Sequence, residues 1–319
     1  MFPVTTSNKV EGGNMNRREF IRDVLLWSAG LTVSIPRLTV PEAFAAPRSP
    51  ILAVEQGTDH QALIKKVLTS LGGMKNFIRP GDRVVIKPNI GWDRSPEQAA
   101  NTNPLVVTTL AEEVLAAGAS KVLIFDRTCN EERRCYKNSG IENAVKSLDN
   151  RKVRIEHIDD RKFVPVEIKR GKSLTKIKIY KDALEADKYI NVPIAKHHGL
   201  STLTLGLKNS MGVIGGQRGM MHFNLGQKLA DLATVIQPTL TVIDATRMLM
   251  DNGPQGGDLR DVKIGNTILA STDPVAADSY ATTLFDMRPE EIESTVAAYK
   301  LGLGEMDLKK MKIVSSTIS

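Results

Sequence analysis

Groups able to carry positive charge or an imidazole are concentrated between residues 196 and 222. Lys196, His197 and His198 follow one another, Lys208 precedes Asn209, and His222 comes after a glycine-rich run at 212–219. Lysine and imidazole beside a carboxylate can move protons or clamp an anion. Neutral imidazole also ligates zinc, nickel, copper or iron. On an extended segment His197 and His198 point to opposite faces, so one ligand reaches both only through an irregular turn, which Gly199 permits. Asp126 and Asp244 could add a carboxylate. No H-x-x-x-H spacing fixes a coordination set, and two readings stand. One is a single divalent metal on His197, His198 and His222; the other is a pair of histidines hydrogen-bonded in a cleft wall.

Lys208 sits among leucines in a stretch, 203–212, whose pattern reads as helical. There it either snorkels to solvent or points into a pocket. In a pocket, desolvation would lower its pKa and suit it to proton transfer or Schiff-base chemistry, whereas a carboxylate partner would keep its charge and make it an anion clamp. The run "GVIGGQRG" could bring backbone N–H groups to an anion, but it matches neither G-x-G-x-x-G nor G-x-x-x-x-G-K-S/T. Asp273 followed by Pro274 reads as an N-cap and first-turn pair. Asp278, inside the helix that follows, is a candidate partner for a cleft lysine. The loop 251–258 is a candidate lid.

These residues need a scaffold. Short apolar runs at 51–55, 83–87, 121–126, 153–157, 188–192, 240–244 and 267–271 read as buried strands. Helical patterns lie between them at 60–71, 105–117, 225–236, 274–285 and 289–301. The alternation predicts a layered α/β fold with a largely parallel central sheet flanked by helices, and a smaller antiparallel hairpin or lobe near 151–181. Several strands turn polar at their carboxyl ends: Lys87 and Asn89, Asp126, Lys196 with His197 and His198, Asp244, and Asp273. In open parallel sheets that rim holds ligands.

Composition narrows the function classes. The chain has 319 residues, a net charge of +7 and 5% aromatic residues. So few aromatics make base stacking on nucleic acid a poor expectation, and the basic stretch at 151–181 reads as a solvated face. Residues 1–45 read as a twin-arginine export signal: Arg17-Arg18 before Phe20-Ile21, a modest apolar run, and Ala43-Phe44-Ala45 ahead of a cleavage point. Met15 offers an alternative start. The expectation is a periplasmic or otherwise exported protein that meets the twin-arginine translocase in transit. Residues 46–319 then form one α/β domain, without a permanent membrane span. Cys129 and Cys135 are too few to hold a four-cysteine iron–sulfur cluster; a disulfide, free thiols and metal ligation all stay open for them.

The segments "VVIKPN" (84–89), "NTNPLVV" (101–107), "AAGASKVLIFD" (116–126), "NVPIAKHHGLSTLTLGLKNSMGVI" (191–214), "LTVIDATRMLMDNGPQGGD" (240–258) and "ASTDPVAADSYAT" (270–282) together resemble the family catalogued as domain of unknown function 362. The resemblance spans roughly residues 51–314. It implies the α/β fold and the position of the site, and leaves the reaction undefined. Some members carry a ferredoxin-like addition, for which this chain has no cysteine run. The leading expectation is an enzyme acting on a small anionic substrate or cofactor, with Lys208, Lys196, His198 and Asp244 as catalytic groups and Lys87, Asn89, Asp126, Asn209 and Asp278 binding ligand. The alternative is a non-catalytic binding or cofactor-maturation protein.

Overall fold

The strands run β1 (Ile51–Gln56), β2 (Arg83–Pro88), β3 (Lys121–Ile124), β4 (Val153–Ile155), β5 (Phe163–Glu167), β6 (Lys176–Tyr180), β7 (Lys188–Val192), β8 (Ile194–His198), β9 (Thr202–Thr204), β10 (Leu240–Leu249), β11 (Val262–Ser271) and β12 (Lys312–Thr317). Between them lie α1 (His60–Ser70), α2 (Pro104–Ala116), α3 (Glu132–Asn138), α4 (Ile141–Ser147), α5 (Lys181–Glu185), α6 (Gly206–Asn209), α7 (Leu225–Ala233), α8 (Pro274–Thr283) and α9 (Glu293–Lys300). This computed structural model describes residues 50–318. The export-signal segment at 1–45 lies outside the described residues.

Ten strands share one sheet, ordered β12-β1-β11-β10-β7-β2-β3-β4, with β8 beside β10 and β9 beside β8. The β10-β7-β2-β3-β4 half is parallel throughout. Antiparallel pairs join β1 to β11, β10 to β11 and β8 to β9. A separate antiparallel hairpin is formed by β5 and β6, within the region where the sequence predicted one. β4, at the start of that region, instead joins the main sheet in parallel.

Buried apolar residues alternate between the two faces of the sheet, as period-two side chains must. Val84 and Ile86 of β2 and Val122 and Ile124 of β3 pack with Leu63, Val106 and Leu110 of α1 and α2. Val85 and Leu123, one residue out of step, pack on the other face with Ile179 of the hairpin and Leu229 of α7. Leu52 and Val54 of β1 meet Ala277 and Ala281 of α8. Among the described residues no helix is long and apolar enough to cross a membrane.

Caps fix the helices that border the crevice. The Asn103 side chain accepts from Leu105 N and Pro104 opens α2. The Asp273 side chain accepts from Val275 N and Ala276 N and Pro274 opens α8, so the predicted N-cap pair is present. The expected helix over 203–212 is not continuous. β9 ends at Thr204, α6 supplies a single turn, and a 3-10 turn follows over Ser210–Val213. The break follows from Asp278. Its carboxylate is buried and accepts from Gly206 N (2.7 Å) and Leu207 N (2.9 Å), which anchors the start of α6 to α8. A Cβ at residue 206 would press on Asp278 Oδ1 at 2.8 Å and Thr241 Cγ2 at 3.1 Å, so glycine is required for the approach.

Replacing Asp278 with Ala orphans two buried N–H groups and should cost about 2–5 kcal/mol, read by urea unfolding; Asp278→Asn keeps one acceptor and should lose roughly half as much. Burial raises the Asp278 carboxyl to about 7, above its value in the unfolded chain. Its contribution to stability is therefore present at acid pH and is lost as pH rises from about 4 towards 7. An Asp278→Ala protein as stable as the parent would refute the anchoring role.

Candidate functional site

β8 continues the course of β7 beyond a break at Pro193 and stays beside β10, Asp244 now pairing with Ile194. Proline has no N–H to give the ladder, and its carbonyl accepts from Asp244 N at 2.9 Å. The break carries β8 past the ends of β2 and β3. Lys196 and His198, two apart, face the resulting hollow, and His197 takes the other side. The β8–β9 turn closes through Thr202 with φ +62°, a left-handed conformation that costs a β-branched residue about 1–3 kcal/mol.

The hollow has a volume of about 360 Å³. Of the residues singled out in the sequence, Lys87, Asn89, Asp126, Lys196, Lys208, Asn209, His198 and His222 line it. Three do not. Asp244 is buried behind the rim, where it accepts from Asn103 N (2.7 Å), Thr246 N (3.0 Å) and Thr246 Oγ1 (2.7 Å). These bonds tie the start of α2 to β10, and burial raises the carboxyl above its usual range. Asp278 serves α6 as described and meets no cleft lysine. His197 Nδ1 accepts from Gly253 N at 3.0 Å. The placement of Asp244 and Asp278 corrects their expected contact with a ligand: both carboxylates are used up by backbone N–H groups.

The floor is a buried polar network. Lys87 Nζ lies 2.9 Å from Asp126 Oδ1, an ion pair whose angles fall outside hydrogen-bond geometry, and donates to Asn209 Oδ1 at 2.8 Å. Asp126 Oδ2 accepts from Ile90 N at 2.6 Å. Asn209 Oδ1 also accepts from Asn89 Nδ2 (3.0 Å), while Asn209 Nδ2 donates to Asn191 Oδ1 (2.8 Å) and Lys87 O (3.2 Å). Burial pulls the Lys87 ammonium below its usual pKa and Asp126 opposes that pull. Gly212 closes over the pair: a Cβ there would collide with Asp126 Oδ1 and with Lys87 Cε and Nζ.

Above the floor the cations lack carboxylates. Lys196 Nζ is buried and donates to Ala100 O (2.5 Å) and Asn89 Oδ1 (3.3 Å); burial brings it down to about 7. Lys208 is half-buried and, among the described residues, has neither a hydrogen bond nor an ion pair for its ammonium; burial brings it down to about 8. Burial, with Lys208 and Lys196 close by, holds His198 neutral, at about 3. Its Nδ1 accepts from Leu200 N (3.1 Å) and Ser201 N (3.3 Å), which leaves the ring proton on Nε2. His222 stacks on it with ring centroids 6.0 Å apart.

Sequence reasoning missed several groups here. Thr204 lines the hollow, and its buried Oγ1 has no partner among the described residues; no sequence signal marks it. Arg218, within the glycine-rich run, also lines the hollow. It is fixed by donating to Arg127 O and to Thr128 O (2.6 Å), with Nη2 3.2 Å from Cys129 Sγ. Arg127 and Cys129 directly follow the polar end of β3, where the strand-end rule could have found them. Both cysteines are free thiols, Cys129 exposed and Cys135 buried. Among the described residues no three His, Cys, Asp or Glu side chains are grouped to share a metal ion.

Lysine, imidazole and amide groups thus gather at the carboxyl rim of a largely parallel sheet, the edge at which open α/β sheets hold ligands. The family model for Domain of unknown function (DUF362) matches residues 84–283. This chain belongs to that family. The thylakoid-associated protein sll1697 of Synechocystis sp. is 30% identical to it over 257 residues, covering 76% of this chain and 75% of that protein. Among solved structures, the lactate racemase apoprotein of Thermoanaerobacterium thermosaccharolyticum has a TM-score of 0.47 at 16% identity over 70% of this chain. A structural-genomics protein from Thermotoga maritima has a TM-score of 0.44 at 11% identity over 77% of this chain. This chain spans 54% and 60% of those two solved chains.

Lys87→Met leaves Asp126 unpaired in a dry site and should cost about 3–5 kcal/mol, while Lys87→Met with Asp126→Leu should recover part of that loss. Urea unfolding of the two singles and the double measures it. Additive losses would refute the pairing.

Proposed function

We propose that this protein binds, and acts on, a small molecule bearing a carboxylate or phosphate group in the hollow at the rim of the sheet. The observation that carries the reading is Lys208. Its ammonium lines a largely enclosed site without a counter-ion, beside Lys196 and Arg218, while the one carboxylate lining the hollow, Asp126, is taken by Lys87. A half-buried ammonium with no carboxylate beside it is a natural partner for an anion, and a ligand anion would supply that partner. The Nε2–H of His198 and the free hydroxyl of Thr204 are suited to donate to the same anion. Lys196 at about 7 and Lys208 at about 8 both lie close to neutral pH, one below the other. One can hold a proton while the other accepts one, which is what acid–base chemistry requires. A non-catalytic binding or maturation role uses the same anion site without turnover. The Arg17-Arg18 signal supports export through the twin-arginine route, with the ligand met after translocation.

Anion binding favours protonated amines, so affinity for inorganic phosphate or a short monocarboxylate should fall as pH rises past 7–8, by about tenfold per pH unit for each proton taken up. Lys208→Met should weaken that binding at least tenfold in calorimetric titration. The lysine is lowered from 10.5 in the unfolded chain to about 8 in the fold. Its cost to stability is therefore full below about 8 and fades as pH climbs to 10.5. Lys208→Met should accordingly raise Tm at pH 7, with the gain shrinking towards pH 10. Failure of phosphate and of all short carboxylates to bind at millimolar concentration would reject the anion site.

A further inference from the structure

Next to the rim hollow lies a groove of about 380 Å³ between the β5–β6 hairpin and the segment that follows α6. Its walls include Leu174, Ile177, Ile214, Met220 and Met221, with Lys176, Lys178 and Lys228 at its edge. The groove is built rather than incidental. Gly215 N donates to Lys178 O at 2.8 Å and Ile179 bridges Ile214, so the segment is stitched to β6. Lys228 Nζ donates to Met220 O at 2.8 Å and lies 5.7 Å from the centre of the Phe223 ring. Met220, in the groove wall, is 65% exposed, an apolar group held in water.

Arg218 is a wall of both concavities. Its guanidinium is pinned to backbone carbonyls of 127 and 128, so the wall the two concavities share is fixed and charged. On one side lie unpaired cations; on the other lies an apolar channel flanked by lysine stems, which carry their ammonium groups outward. We propose that the ligand is an amphiphilic anion: its carboxylate or phosphate sits with Lys208 in the rim hollow, and its alkyl chain crosses Arg218 into the groove. This rests on the anion reading of the hollow and adds the chemical class of the remainder of the ligand.

The full chain is titrated at pH 7 with inorganic phosphate and with linear monocarboxylates from two to ten carbons, by calorimetry. Affinity should rise about two- to fourfold per added methylene once the chain passes Arg218. Ile177→Asp and, separately, Met220→Ser should flatten that dependence and leave phosphate affinity unchanged; Lys208→Met should weaken every probe. Binding of phosphate with no dependence on chain length would overturn the proposal and leave the anion site standing. A chain-length dependence untouched by both groove variants would also overturn it. Absence of binding by phosphate and all carboxylates would remove the anion site itself.

Discussion

The rest of the site hangs on one buried ion pair. Lys87 lies near the carboxyl end of β2, Asp126 two residues past the end of the adjacent parallel strand β3, and both are almost wholly buried. Breaking such a pair is costly because either charge left alone keeps its full desolvation penalty. Asn209 is recruited to complete it, and completing Asn209 brings in Asn89 and Asn191. The single turn of α6 then packs closely on Asp278 of α8 and Thr241 of β10, which demands glycine at 206, and the segment after it passes over the ion pair, which demands glycine at 212. A polar requirement at two strand ends thus dictates backbone geometry more than a hundred residues away in sequence.

The same arrangement explains the electrical character of the hollow. Once Asp126 is committed to Lys87, no carboxylate is left to balance Lys196, Lys208 and Arg218. Burial lowers the pKa of Lys196 and of Lys208 and holds His198 uncharged, while Arg218 is fixed on backbone oxygens.

Much of this was legible from residue patterns, and the failures have particular causes. The parallel strands and long helices announced themselves through apolar period and caps; β7 has the predicted bounds, and Asp273-Pro274 caps α8. Strand ends pointed to Lys87, Asp126 and Lys196, which line one hollow. The helix over 203–212 was misread because its leucine spacing is set by two different elements, a strand and a turn, that share a buried face. Asp244 and Asp278 were misassigned because a sequence shows that a carboxylate is buried but not that backbone N–H groups have already claimed it. Thr204 was invisible: an unpartnered hydroxyl is defined only by the absence of neighbours in space. β12 was overlooked because its residues alternate weakly and its pairing with β1 joins opposite ends of the domain.

Gly212 has a bearing on how this fold can diversify. Because even a methyl group there would drive into the Lys87–Asp126 pair, the back of the hollow leaves no room for a larger residue. Freedom lies instead along the outer lip, where Leu200, Met220 and Phe223 project into solvent with little packing to lose. New molecular preferences within this architecture should therefore arise from exchanges along that lip, while the chamber's charged base is inherited unaltered.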